Sequence, residues 1–143
     1  MSIFIGADHR GFELKQKLID SFISLNLVDL GADRIDSTDD YNDFAIKVAK
    51  AVLADPGSTG ILICGSAQGM TMQANRFKGI RAAYCSTVDD AEHSRRHNDA
   101  NILCLSADLT INTPEDILNK FLETNFIPEA RYIRRNNKLD EDY

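Results

Sequence analysis

Short apolar runs alternate along this chain with stretches in which apolar residues recur at helical spacing. Residues 3–6 read as a strand closed by Gly6. Phe12, Leu14, Leu18, Ile19, Phe22 and Ile23 then mark one helix face, which predicts a helix over roughly 9–24. Residues 27–30 form a second strand ending at Gly31. A polar loop follows, and Phe44, Val48, Ala51 and Val52 announce a second helix. The unbroken run at 61–63 suits a strand covered on both faces. Beyond it come a Gly-rich turn, a short helix over 70–77, a strand over 80–85, a helix over 88–97 and a strand over 102–105. Thr113 as N-cap, Pro114 at the first helical position and Glu115 and Asp116 in the first turn open a last helix. Its apolar face is Ile117, Leu118, Phe121 and Leu122.

Regular β-α alternation predicts an α/β fold: a single-domain, doubly wound, Rossmann-like five-stranded parallel sheet with helices on both faces, spanning residues 1–143. The tail over 127–143 is polar and charged, either disordered or laid over a site. Ligands of such sheets bind at the carboxyl ends of the strands, near the point where strand order reverses. That rim holds Asp8 and His9, the segment 64–69, and Ser86. His97 and Asn98 close the fourth helix at its carbonyl end, and Asn101 belongs to the opposite rim.

Composition narrows the function classes. With 43% hydrophobic and 27% charged residues the chain is an ordinary globular sequence. A net charge of -6 argues against nucleic acid or an anionic membrane as the main partner. There is no basic, apolar leader at 1–5 and no run of the ~20 apolar residues a spanning helix needs. Three cysteines, at 64, 85 and 104, form neither a disulfide framework nor a C-x-x-C pair. These features lead us to expect a reduced, cytoplasmic protein with no metal.

The sharpest chemical signal is Cys64-Gly65-Ser66-Ala67-Gln68-Gly69. A strand ends, glycine lets the backbone turn, and a helix begins, so successive amides converge on one point. A thiol there should have a depressed pKa; the bland alternative is a small buried residue at a strand end. Cys85 and Cys104 sit inside apolar runs and read as core. A phosphatase loop would need arginine where Met70 stands, a Walker loop would need Gly-Lys-Ser/Thr after Gly11, and no three-glycine dinucleotide pattern occurs. Proton transfer or acyl chemistry remains. Asp8 suits a sugar hydroxyl and His9 a phosphate or a hydroxyl, or else they are a capping Asp beside a surface His. His97 offers an acid or base near neutral pH; His93, one turn earlier, reads as solvated. Arg131 and Arg135, at i,i+4, could grip a phosphate dianion or be a solvated basic tail. Tyr41 either covers a pocket or packs.

Together these residues resemble the ribose-5-phosphate isomerase B family, which includes the galactose-6-phosphate isomerase subunits. The resemblance runs through GADHRG at 6–11, DY at 40–41, ILICGSAQGM at 61–70, AN at 74–75, GIRAA at 79–83, SRRHNDAN at 94–101 and the arginines at 131 and 135. It implies interconversion of ribose 5-phosphate and ribulose 5-phosphate without a cofactor. Cys64 would be the base and His97 the ring-opening acid. Gly65, Ser66, Ala67, Gln68 and Gly69 would supply amides to the enediolate, while Asp8 and Asn98 hold hydroxyls. His9, Arg131 and Arg135 would bind the phosphate, and Tyr41 would lie at the site. A homodimer or dimer of dimers with shared active sites is implied. Three positions depart from the family: Ala67 replaces a glycine, Asn42 a proline, and Asp108 a phosphate-binding arginine, so that either the Asp108 segment is displaced or another cation, Arg134 or Lys138, compensates. Two other readings are an isomerase of a six-carbon substrate such as allose 6-phosphate, and a non-catalytic sugar-phosphate-binding homologue.

Overall fold

The computed structural model describes residues 1–108 and 111–143. Its elements are β1 (Ile3–Ala7), α1 (Phe12–Ser21), β2 (Val28–Asp29), α2 (Tyr41–Ala54), β3 (Thr59–Cys64), α3 (Gln68–Ala74), β4 (Ala82–Tyr84), α4 (Val88–Asn98), β5 (Ile102–Ser106), α5 (Pro114–Glu123) and α6 (Ala130–Lys138). The five strands form one parallel sheet, as the alternation predicts, and their order is β2-β1-β3-β5-β4. From β1 the chain goes to β2 on one side and to β3 on the other, so order reverses between β1 and β3. Ala7 lies in register with Ile63, which puts the ends of these two strands side by side.

Successive side chains of β3 point to opposite faces, and each face has its own core. Ile61 and Ile63 pack with Leu18 of α1, Ala91 of α4, and Ile117, Leu118 and Phe121 of α5. Leu62 and Cys64 face Ala45, Val48 and Val52 of α2 and Met70 and Ala74 of α3. Cys64 is therefore the last inward position of a central strand.

Where element limits differ from the periodicity, side chains explain the shift. The helix expected from residue 9 starts at Phe12, because the Asp8 carboxylate accepts from the Arg10 and Gly11 amides, both at 3.0 Å, and holds 8–11 as a turn. It stops at Ser21, and Ile23–Leu25 tightens into a 3₁₀ turn. The third helix begins at Gln68 rather than 70, since left-handed Ala67 (φ 66°) completes the turn before it. It ends by Asn75, whose side-chain amide bonds the Ala82 backbone at both N–H (2.8 Å) and C=O (2.9 Å). Thr113 accepts from the Asp116 amide at 3.3 Å with Pro114 behind it, the start expected for α5.

The tail is ordered. Residues of α6 dock on the end of α4: Tyr132 stacks on His97 at 4.7 Å between ring centroids. Buried Asn136 donates to the His97 carbonyl and accepts from the Asn98 amide, each at 3.3 Å. Among the described residues, no helix is long and apolar enough to cross a membrane.

Candidate active site

The β1/β3 junction gathers Asp8, His9, Cys64 and the 65–69 loop. Gly11 makes this close approach possible. A Cβ there would lie 2.4 Å from the Ile63 carbonyl oxygen, so any side chain would push the first loop off the third strand. The 64–65 backbone is tied to the end of β5: the Cys64 carbonyl accepts from Ala107 N–H at 2.9 Å, and Gly65 O accepts from the Ser106 hydroxyl at 2.5 Å. Tyr41, first residue of α2, lays its ring over Gly69, where a Cβ would meet the ring Cζ at 2.4 Å. Asn42, in place of the family's proline, joins α2 to α3 by donating to the Gln73 carbonyl oxygen at 2.9 Å.

Amides of Met70, Ala67 and Ser66 do face the Cys64 sulfur, but they do not win. Burial pushes the thiol up, the Asp8 charge adds to the rise, and the three amides offset only part of it. The expectation of a depressed thiol is corrected accordingly. At 5% exposure the cost of a buried thiolate exceeds what a few amides return. Cys85 and Cys104, also buried, are both pushed to about 12 by desolvation and belong to the cores, as their apolar settings predict.

His9 is held by Asp39: its Nδ1 lies 2.7 Å from Asp39 Oδ1, and its backbone N–H donates to the same oxygen at 3.2 Å. That bond is the main reason the imidazole pKa is raised. With Nδ1–H donating to the carboxylate, Nε2 is left for a ligand. Asp8, His9 and Asp39 also place one ligating atom each within 4.8 Å of one another. Asp8 and Asp39 already accept from backbone amides, and Asp39 accepts from His9 as well. The cluster is a polar network bracing the rim.

Other predicted residues lie far from Cys64 within one chain. The eleven residues of α4 run back across the sheet, so its ends are roughly 15 Å apart. His97 and Asn98 therefore close it at the amino ends of the strands, beside Asn101, whose carbonyl accepts from Gly60 N–H at the start of β3. Arg131 and Arg135 share that rim, because α6 packs on His97 through Tyr132. Arg131 pairs with Glu129 at 3.0 Å and lies over the Tyr132 ring; Arg135 is exposed. One copy thus carries the residues singled out in its sequence as two separate groups on opposite rims. A groove of about 810 Å³ lies on the amino side, between α3, β4 and residues 139–143, with Asn98 in its wall.

Sequence reasoning passed over Arg10. Its guanidinium covers Gly65, where a Cβ would lie 2.6 Å from Cζ, and it is ion-paired with Asp108. Among the described residues, neither Arg134 nor Lys138 pairs with Asp108, whose partner is Arg10.

The profile of the family described as Ribose/Galactose Isomerase matches residues 3–139. The probable ribose-5-phosphate isomerase B of Mycoplasma pneumoniae is 40% identical over 142 residues, covering 96% of this chain and 91% of its own. The ribose-5-phosphate isomerase B of Mycobacterium tuberculosis is 36% identical over 144 residues, covering 99% and 89%. Among solved structures, ribose 5-phosphate isomerase from Thermotoga maritima superposes with a TM-score of 0.89 at 38% identity, over 99% of this chain and 98% of that one. The Mycoplasma genitalium ribose-5-phosphate isomerase B, solved with bound ribulose-5-phosphate, gives 0.88 at 39% identity, over 96% and 93%.

Proposed function

The chain belongs to the ribose/galactose isomerase family, and from this we infer that it is an aldose–ketose isomerase interconverting ribose 5-phosphate and ribulose 5-phosphate. The observation that carries the reading is Cys64 at the strand-order reversal, with three backbone amides facing its sulfur and Asp8 beside it. An acidic C–H next to a carbonyl needs a base on one side and fixed donors for the oxygen charge on the other. This loop offers both.

The reaction runs in two stages. His97 of a second copy donates a proton to the furanose ring oxygen, the C1 hydroxyl gives its own proton to water, and the ring opens to the aldehyde. The Cys64 thiolate then takes the C2 proton, and the oxygen at C1 acquires negative charge as the enediolate forms. Amides of the 65–69 loop hold that charge. Returning the proton from Cys64 to C1 while the C2 hydroxyl proton passes to the C1 oxygen gives the ketose. Asp8 and Asn98 hold hydroxyls, His9 with Arg131 and Arg135 of the second copy binds the phosphate, and the Tyr41 ring bounds the site.

A homodimer, or a dimer of dimers, follows from the same assignment. Base and acid lie on opposite rims of one chain, so only two copies arranged with opposite rims facing complete a site. Met72, 65% exposed on α3 just after the catalytic loop, gives that contact apolar surface. Three free cysteines suit the reducing cytoplasm.

The test is an isomerase assay on ribose 5-phosphate. Cys64→Ala should lose about 10²-fold or more in kcat. Activity retained within a few-fold would remove Cys64 as the base.

A further inference from the structure

Asp108 poses a problem for this reading, since a carboxylate beside the catalytic loop repels a phosphate dianion. Its own contacts resolve the difficulty. The Asp108 amide donates to Gly65 O at 3.3 Å and to the Ser106 hydroxyl at 3.1 Å, which fixes the start of this loop against Cys64-Gly65. Its carboxylate is ion-paired with Arg10 Nη2. Arg10 is anchored at its other end, where its backbone N–H donates to Asp8. Between these anchors the guanidinium covers Gly65, which has no side chain to displace it. Arg10 is 57% exposed and Asp108 46%. Both are open to a ligand arriving from solvent.

Guanidinium carries five N–H donors, and one nitrogen is taken by Asp108. Those remaining can meet a phosphate in the paired geometry that arginine favours. His9, the preceding residue, is close enough for the Arg10 charge to act on its imidazole. Two cations therefore flank one spot on the rim, and a dianion placed between them relieves their repulsion.

We propose that Arg10 is a substrate-binding residue that takes the phosphate of the sugar together with His9, and that Asp108 is the positioning residue that holds its guanidinium over Gly65. The charge of Asp108 is cancelled in the same contact. The proposal rests on the sugar-phosphate reading above and adds to it a cation outside the tail arginines.

The experiment measures steady-state kinetics on ribose 5-phosphate and, separately, binding of inorganic phosphate by calorimetry. The variants are Arg10→Ala, Arg10→Lys, Asp108→Asn and Asp108→Ala. Arg10→Ala should raise KM and weaken phosphate binding about tenfold or more while kcat stays within a few-fold. Arg10→Lys should recover part of that loss. Both Asp108 variants should raise KM by less than Arg10→Ala does, about threefold, since the guanidinium persists without its tether. KM and phosphate binding both unchanged in Arg10→Ala overturn the assignment of Arg10. A lower KM in either Asp108 variant overturns the tether, because Asp108 would then compete with substrate for Arg10. Phosphate binding keeps the test separate from the isomerase reading: a wild type that binds phosphate through Arg10 but leaves ribose 5-phosphate unchanged defeats only the latter.

Discussion

Asp39 reaches across thirty residues of sequence to hold the His9 imidazole by Nδ1 at 2.7 Å and the His9 amide at 3.2 Å. One carboxylate oxygen thus sets the ring's tautomer, its orientation and its charge. The hydrogen bond to Asp39 raises the His9 pKa, so the cation persists to higher pH than an ordinary histidine's, and the phosphate binding proposed for it should persist with it. The pair's contribution to folding is complete below the ordinary histidine pKa and fades as pH rises through the raised one. In Asp39→Asn the His9 titration followed by NMR should move down, and the pH at which KM begins to climb should move down by the same amount. An unchanged His9 titration would mean that Asp39 does not set it.

Cys64 should make the enzyme alkaline-leaning. Its thiol is pushed above the ordinary range, chiefly by burial, so thiolate is scarce at neutral pH but strongly basic. The kcat/KM profile should keep rising past neutrality, and inactivation by iodoacetamide should be slow at pH 7 and accelerate with pH. A flat profile from pH 6 upward, with fast alkylation at neutral pH, would contradict a buried and raised thiol.

The proposed sharing of Cys64 and His97 between two copies predicts a specific complementation. Cys64→Ala and His97→Ala should each be inactive alone. Mixed under conditions that exchange subunits, they form hybrid dimers in which one site has both residues intact, so activity should recover to about a quarter of wild type. No recovery, despite hybrids detected by mass spectrometry, would place acid and base within one copy.

Lys15 is fully buried on α1, its ammonium bonded to both oxygens of Asp29, at 2.8 and 2.7 Å, on the edge strand β2. Asp29→Asn keeps an acceptor for the Gly31 amide but leaves the ammonium without its counter-charge. Breaking such a pair should cost about 3 kcal/mol, at the low end of the range because Asp29 keeps some solvent contact, and lower Tm by roughly 10 °C. A thermal scan showing less than a 3 °C change (~1 kcal/mol) would show that solvent reaches Lys15 and replaces the carboxylate.

The sheet was legible because its central strands are buried on both faces and so are written as unbroken apolar runs, as at Ile61–Ile63. Thr113-Pro114 announced α5 for an equally local reason. What was not legible depends on balances that no short stretch of sequence contains. The amides around Cys64 were predicted correctly, yet the sign of the thiol's shift turned on how completely β3 and its neighbours enclose it. Arg10 was overlooked because one arginine in a polar turn reads as solvated. The clue was Asp108, which demands a cation, and that cation stands 98 positions earlier rather than in the tail. Lys15 sits where a helix shows its buried face, and nothing nearby in sequence reveals the carboxylate that admits it.

The place of β5 has a consequence for how the chain acquires its shape during synthesis. It enters the sheet between β3 and β4, and β4 pairs with no other strand among the described residues. Until Ile102–Ser106 leaves the ribosome, β4 has nothing to join and the inner edge of β3 stays open. A nascent chain ending before that strand can assemble β2, β1 and β3 at most. The last third of the chain therefore completes the centre of the sheet, so folding should follow translation rather than accompany it. Exposed β3 edges are the natural target for chaperones or for aggregation in truncated products.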